Sequence, residues 1–190
     1  MAYIKWRKVM SNIFYTADLH FGHKNIIKYE NRPFKDVEDM HEQLIKKWNR
    51  KVKPNDTVYI LGDFAFPNSK LTYRDIEDIV NKLNGEKILI TGNHDNWISK
   101  KAFNTKCFKQ IVPYAEIYDT SVKRENPIVI LFHYPIEDWN GRFYEAIHLH
   151  GHIHSNVISY LKNRYNVGVD VCNYEPVTLE EIIKLQGKIK

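Results

Sequence analysis

The chain is 190 residues long, with 43% hydrophobic and 27% charged residues, a formal net charge of +5 and two cysteines. This length predicts a single domain over residues 1–190, and the absence of an apolar run of about 18 residues excludes a membrane-spanning protein. Two widely separated cysteines argue against a disulfide-stabilised fold and for a cytoplasmic location, while the positive charge favours anionic partners, nucleic acid among them.

Short apolar runs alternate with helical patterns in the first half of the chain, which predicts βα units and a largely parallel sheet. Two helices are expected between the strands, the first capped by Asp36 and the second capped by Thr72 and stopped by Gly85. The strands of this half are predicted at residues 13–17, 57–61 and 88–90.

The second half of the chain is richer in strand patterns. Thr178 and Glu181 have the spacing of a capping box, which predicts a last helix after them. The strands of this half are predicted at residues 115–122, 128–132, 147–151 and 166–171.

Side chains of metal-binding types follow several of these strands, and ligands of open α/β sheets bind where strands end. Asp18-Leu19-His20 and His152-Ile153-His154 each space two such side chains so that both could leave an extended segment on the same face. Asp63 offers a carboxylate that can bridge two cations, while Asn93 and His133 add an amide oxygen and an imidazole. The candidate ligands are therefore Asp18, His20, Asp63, Asn93, His133, His152 and His154.

This set contains only nitrogen and oxygen donors, which suits two divalent metal ions, with Mn²⁺ first and Fe, Zn²⁺ or Ni²⁺ as alternatives. Two ions about 3.5–4 Å apart can hold a hydroxide and clamp a phosphate during in-line attack. Each motif alone could also occur without a metal, by chance in a loop or, for a histidine, as a hydrogen-bonded residue of the core. Their joint order, each cluster following an apolar strand, favours the metal centre.

Five motifs of the chain together resemble the signatures of the calcineurin-like metallophosphoesterase superfamily: Asp18-x-His20, Gly62-Asp63, Gly92-Asn93-His94-Asp95, His133 and Gly151-His152-x-His154. The resemblance implies an α/β fold, a four-layer α-β-β-α sandwich with two mixed sheets inside. It also implies how the ligands divide between the ions. One ion takes Asp18, His20, Asp63 and His154, and the other takes Asp63, Asn93, His133 and His152.

By the same resemblance, His94 is the catalytic histidine that contacts the phosphate and protonates the leaving oxygen. Asp95 would accept a hydrogen bond from the other ring nitrogen of His94, and it could also cap a helix beginning near Trp97. Gly62-Asp63-Phe64 and the final Asp95 depart from the protein Ser/Thr phosphatases of the superfamily. The chain looks more like the small, stand-alone bacterial and phage phosphoesterases.

Three further residues are candidates for binding the substrate. His23 follows the first metal motif and could touch a phosphate, support a ligand or be exposed. Arg32 could clamp an anion with its forked guanidinium, or pack in a turn. Arg142 belongs to an aromatic and basic segment that could stack on a nucleobase, or cover the edge of a sheet.

We therefore expect a dinuclear metal-dependent phosphoesterase that hydrolyses a phosphodiester or phosphomonoester, a nucleotide being one candidate, by in-line attack of a metal-bound hydroxide. A metal-dependent nuclease acting on DNA or RNA is the alternative. A non-catalytic scaffold of the same fold is the third reading, and the presence of every ligand and of His94 argues against it.

Overall fold

A computed structural model describes residues 11–156 and 161–186 of the chain. Its centre consists of two four-stranded sheets. In the first sheet all neighbouring strands are parallel, and the four strands lie side by side in chain order. An antiparallel bridge between Tyr15 and Val177 extends it. Its strands are β1 (Ile13–Thr16), β2 (Thr57–Leu61), β3 (Glu86–Ile90) and β4 (Gln110–Val112).

The second sheet is mixed: its first two strands are antiparallel, and the other neighbours are parallel. Its strands, in spatial order, are β5 (Ala115–Tyr118), β6 (Ile128–Leu131), β7 (Ile147–His150) and β8 (Arg164–Asn166). The strand predicted at 166–171 is wrong in position. Asn166 turns its side chain onto the backbone N–H of Gly168 at 2.8 Å, and the chain leaves the sheet there. The strand predicted at 115–122 ends early, at Tyr118.

The helices begin where their capping residues predict. The side chain of Asp36 accepts a hydrogen bond from the N–H of Asp39, and Thr72 and Asp75 form a capping box. The second of these helices ends before Gly85, because Leu83 is already extended and buried. The helices are α1 (Ile26–Tyr29), α2 (Val37–Lys51), α3 (Tyr73–Lys82) and α4 (Leu179–Gln186).

Alternation along the strands divides the core into layers. Val58 and Ile60 of β2 join the cluster that contains the buried faces of α2 and α3. Leu61 belongs to a second cluster, which holds Val129 and Leu149 of the other sheet and therefore lies between the sheets. Each fully buried aliphatic side chain of this kind contributes about 1.5–3 kcal/mol to folding. The two sheets are thereby fixed face to face.

The segment after β6 covers part of the second sheet on its other side. Trp139 packs there with Ile130 and Ala146, and its indole N–H donates to the carbonyl oxygen of Ala146 at 3.1 Å. The α/β fold with two sheets is confirmed. Within the part of the chain that the structure describes, no helix is long and apolar enough to cross a membrane.

Candidate metal centre

The candidate ligands meet where strands of both sheets end. They lie in the loops after β1, β2 and β3 of the first sheet and after β6 and β7 of the second. The loops are hydrogen-bonded to each other: the N–H of Asp18 donates to the carbonyl of Gly62, and the N–H of His152 donates to the carboxylate of Asp18 at 2.9 Å. The architecture therefore brings together Asp18, His20, Asp63, Asn93, His133, His152 and His154.

One group consists of Asp18, His20 and His154, each with a potential ligand atom within 4.8 Å of the others. The rings of His20 and His154 are stacked, with centroids 5.1 Å apart. His20 is 1% exposed, and neither of its ring nitrogens has a hydrogen-bond partner. A buried polar atom without a partner is costly, and a cation coordinated by His20 would satisfy it.

The second group surrounds the side-chain oxygen of Asn93. This oxygen lies 3.0 Å from His133 Nε2 and 3.0 Å from His152 Nδ1. Ligands that share one ion at about 2.0–2.2 Å come this close to each other. His133 Nδ1 lies 2.8 Å from the carbonyl oxygen of Leu61, which can only accept, so Nδ1 carries the proton and Nε2 is free to coordinate.

Asp63 lies between the two groups. Its Oδ2 is 3.7 Å from His20 Nε2 and 3.6 Å from His133 Nε2. Its Oδ1 is held in place by the N–H of His94 at 2.9 Å. One oxygen of this carboxylate thus faces a ligand of each group.

Burial governs the charges of these side chains. Burial raises the pKa of Asp18 to about 8, with the charge of His154 opposing the rise and that of Asp63 adding to it. Burial also lowers the pKa of His20 and of His133. The neutral form that binds metal is therefore favoured at His20 and His133, whereas at His154 the effect of burial is outweighed by the hydrogen bond to Asp170 and by nearby carboxylate charges, which raise the pKa.

The backbone of the ligand loops is unusual. Left-handed φ angles are uncommon outside glycine, cost of order 1–3 kcal/mol each and cluster at functional sites. Here they occur at candidate ligands from three loops: Asp18 (57°), His20 (54°), Asp63 (55°), His152 (72°) and His154 (50°).

Glycines make room for the carboxylate of Asp18. A Cβ atom at Gly151 would lie 2.6 Å from Asp18 Oδ2, and a Cβ atom at Gly168 would lie 2.8 Å from the same oxygen. Real Cβ atoms do not approach other atoms so closely, so a side chain at either position would displace Asp18.

Comparison with protein families identifies the family to which this fold belongs. The family model described as calcineurin-like phosphoesterase matches residues 11–167. The chain belongs to the calcineurin-like phosphoesterase family. Members of this family generally bind divalent metal ions and act on phosphate esters.

Similar proteins match this chain over almost all of its length. An uncharacterised protein of Methanocaldococcus jannaschii is 36% identical over 188 residues, covering 95% of each chain. The Gene 66 protein of Mycobacterium phage L5 is 31% identical, over 95% of this chain and 96% of its own. The crystal structure of a protein of unknown function from Aquifex aeolicus is similar with a TM-score of 0.70 and 28% identity, over 93% of this chain and 100% of its own.

His94 lies beside the first group of ligands. Its ring meets the ring of His20 edge-on, with centroids 5.5 Å apart, and its other ring neighbour is Phe66 at 5.7 Å. The backbone N–H of His94 donates to Asp63 Oδ1, and this hydrogen bond fixes the position from which the His94 side chain extends. His94 is therefore close to the proposed metal ions.

The hydrogen bond predicted from the His94 ring to Asp95 is wrong. The carboxylate of Asp95 accepts instead from the backbone N–H groups of Asp63 (2.8 Å), Phe64 (3.0 Å) and Gly92 (2.8 Å). Burial raises the pKa of Asp95 to about 6, although these amides oppose the rise. Asp95 also begins the 3₁₀ helix Asp95–Ser99. It ties the loops after β2 and β3 together.

His23 remains a candidate for contact with the substrate. Its ring lies 5.4 Å from the ring of His20 and stacks on Phe66 at 4.7 Å. Its Nδ1 is buried and has no hydrogen-bond partner.

The prediction that Arg32 clamps an anion is wrong. Its guanidinium is buried and makes an ion pair with Asp170 at 2.8 Å, while its remaining donors bind the carbonyl oxygens of Asp18 and Leu19. With its charge paired and its donors engaged by the protein, it has nothing left for a substrate phosphate. Arg32 is the packed arginine that the alternative described.

Arg142 is likewise engaged within its own segment. It donates to the carbonyl oxygen of Glu137 at 2.6 Å, lies 3.9 Å from the carboxylate of Asp138 and stands over the rings of Trp139 and Phe143. These contacts place Arg142 in the segment after β6 that packs on the second sheet, and none of them joins Arg142 to the candidate ligands.

Two residues at the site were not predicted from the sequence. Asp170 accepts a hydrogen bond from His154 Nδ1 at 2.8 Å. The ring of Tyr134 packs against the rings of His152 and His133, with centroids 4.6 and 5.0 Å away. The position of Tyr134 directly after His133 was the available signal. For Asp170, the available signal was a single acidic residue in the otherwise apolar segment Val167-Gly168-Val169-Asp170-Val171.

Proposed function

We propose that the chain is a phosphoesterase with two divalent metal ions, one held by Asp18, His20, Asp63 and His154, the other by Asp63, Asn93, His133 and His152. The observation that carries this proposal is the position of Asp63. Its Oδ2 lies almost equally far from one imidazole of each group, at 3.7 and 3.6 Å. The donor chemistry favours Mn²⁺, with Fe, Zn²⁺ or Ni²⁺ as alternatives.

The buried, unpartnered nitrogens of His20 and the buried carboxylates of Asp18 and Asp63 fit such ions. When bound, the ions supply Lewis acidity, which polarises the phosphate and activates water for in-line attack. The protein itself orients the ligands and delivers the proton. We propose His94 as the general acid, because its ring lies against His20 and its backbone is bound to Asp63.

Exposed aromatic rings beside both groups favour a nucleotide as the substrate. Phe66, which is 38% exposed, stacks on His23 near the first group. Tyr134, which is 37% exposed, packs on His152 and His133 of the second group. Stacking of a base on such a ring is worth about 1–3 kcal/mol.

To test the proposal, the protein is stripped of metal with a chelator and loaded with Mn²⁺. Its hydrolysis of model diesters, monoesters, cyclic nucleotides and oligonucleotides is then assayed. We expect two ions per chain at saturation, hydrolysis that depends on Mn²⁺, and preference for esters that carry a base. Saturation at one ion or fewer would refute the dinuclear centre.

A paired variant separates base stacking from phosphate chemistry. Tyr134→Ala should raise the KM for a dinucleotide substrate by about 5- to 150-fold and leave the KM for glycerophosphodiesters unchanged. Tyr118→Ala is the matched control, because Tyr118 is 73% exposed on β5. Equal effects of the two variants would remove the support for a nucleotide.

The second candidate is a nuclease on DNA or RNA, favoured by the net charge of +5 together with rings on both sides of the centre. Oligonucleotide binding that weakens steeply with added salt, together with cleavage, would favour the nuclease over an enzyme of small nucleotides. We also propose a cytoplasmic location, supported by the free thiols of Cys107 and Cys172.

A further inference from the structure

A buried ion pair lies directly behind the first group of ligands. Arg32 Nε donates to Asp170 Oδ1 at 2.8 Å and Nη2 donates to Oδ2 at 2.9 Å, so the guanidinium and the carboxylate are joined by two parallel bonds. The exposed fractions of the two side chains are 0% and 2%. Paired in this way, Asp170 is held as a carboxylate with a fixed orientation.

Each partner of the pair also contacts the metal-binding motifs. Arg32 Nη2 donates to the carbonyl oxygen of Asp18 at 2.7 Å and Nη1 donates to that of Leu19 at 3.0 Å. Asp170 Oδ2 accepts from His154 Nδ1 at 2.8 Å. A carboxylate can only accept here, so Nδ1 of His154 carries a proton and Nε2 presents its lone pair.

The second group is supported differently. There, the nitrogen of His133 that points away from Asn93 donates to the main-chain carbonyl of Leu61, and no buried ion pair is involved in that contact. A side-chain pair thus sets the tautomer of His154 in the first group, and a backbone carbonyl sets the tautomer of His133 in the second.

We propose that Arg32 and Asp170 are positioning residues for one metal ion of the two. Arg32 holds the backbone of the Asp18 motif, and Asp170 sets the tautomer and ring orientation of His154. Removing the pair should therefore weaken the ion at Asp18, His20 and His154 and spare the ion at Asn93, His133 and His152. This inference rests on the proposed dinuclear centre.

The first test uses the wild-type protein without metal. Long-range ¹H–¹⁵N correlation spectra of ¹⁵N-labelled protein distinguish a protonated from an unprotonated ring nitrogen in each histidine. We expect the Nδ1–H tautomer for His154. The Nε2–H tautomer would overturn the role of Asp170, whatever number of metal ions the protein binds.

The second test is a calorimetric titration with Mn²⁺ of the Asp170→Asn variant after its metal has been removed with a chelator. Elemental analysis of the saturated protein accompanies it. We expect one ion to bind with affinity within about twofold of wild type, and the other to be weakened about 10- to 100-fold. Unchanged affinity for both ions, or an equal loss for both, would overturn the proposal.

Asp119→Asn is the matched control for this substitution. Asp119 is also buried, but its carboxylate accepts from the hydroxyl of Tyr15 at 2.7 Å and from the N–H of Ser121. It should lower thermal stability and leave both Mn²⁺ affinities unchanged. If it reproduced the selective loss seen in Asp170→Asn, that loss would reflect general destabilisation, and the positioning role would be overturned.

A third variant, Arg32→Lys, keeps the positive charge but cannot make both bonds to Asp170 and both bonds to the carbonyl oxygens. We expect a weakening of the same ion, smaller than in Asp170→Asn. Loss confined to the other ion would contradict the proposal. Wild-type protein that saturates with a single ion would refute the dinuclear function instead, and the tautomer of His154 would still test the role of Asp170.

Discussion

The two proposed metal positions differ in burial. Asp18 and His20 are 0% and 1% exposed, and Asp170 anchors the third ligand of that group from behind. In the other group His133 is fully buried, whereas Asn93 is exposed. Water and competing ligands therefore reach the second position more easily. We therefore expect a tightly held ion at the first position and an exchangeable one at the second.

Asp63→Asn should have the largest effect, because Asp63 is the one ligand that both positions share in the proposal. Loss of the bridging charge should reduce both Mn²⁺ affinities and lower kcat by about 10³-fold or more. Elemental analysis and steady-state assays of the same samples measure this. If one ion remained bound with wild-type affinity, Asp63 would be a ligand of a single position and would not be shared by both.

His94→Ala should leave both ions in place and lower kcat by about 10²- to 10⁴-fold, the range for a general acid. The loss should be small for nitrophenol, which departs without protonation, and largest for alkoxide leaving groups. The measurement is kcat across esters whose leaving groups have graded pKa values, with metal content determined in parallel. A uniform loss across the series would leave His94 as a phosphate-positioning residue, and loss of metal would make it a support of the buried position.

Asn93→Ala should separate the two positions directly. The exposed position should weaken by at least about 10- to 100-fold, since a ligand contributes more than a supporting contact, while the buried position keeps its ion. Dialysis of the wild type against a chelator, followed over time by elemental analysis, should likewise pass through a stage with one ion per chain. Simultaneous loss of both ions would show that burial does not distinguish them.

The smallest effect is that of a change of one pH unit. Burial raises the pKa of Asp18 to about 8, so in protein stripped of metal this carboxyl is protonated at pH 7 and must release its proton to coordinate. Affinity at the buried position should therefore rise by up to about tenfold per pH unit between pH 6 and 8 and level off above that. Calorimetry in buffers of different ionisation enthalpy measures the released proton. Metal binding at pH 7 without proton release would contradict the raised pKa.

Local sequence patterns were enough to predict the strands that precede the candidate ligands, the capped helices and the family. Those features are local: the alternation of apolar residues along 57–61, the capping side chains of Asp36 and Thr72, and the ligand types that follow each strand. Parallel strands then carry their terminal loops to the same edge, which is why motifs far apart in the chain could be assigned to one site.

Which polar side chains face the site and which bind the protein became known only from the packing of distant segments. Arg32 and Asp170 are 138 residues apart, and no local pattern reveals that each neutralises the other. Asp95 neighbours His94 in the chain, yet its carboxylate turns to the amides of the β2 and β3 loops. The physical reason is that a buried charge takes whichever partners the packed chain supplies, and these become known only when distant segments meet.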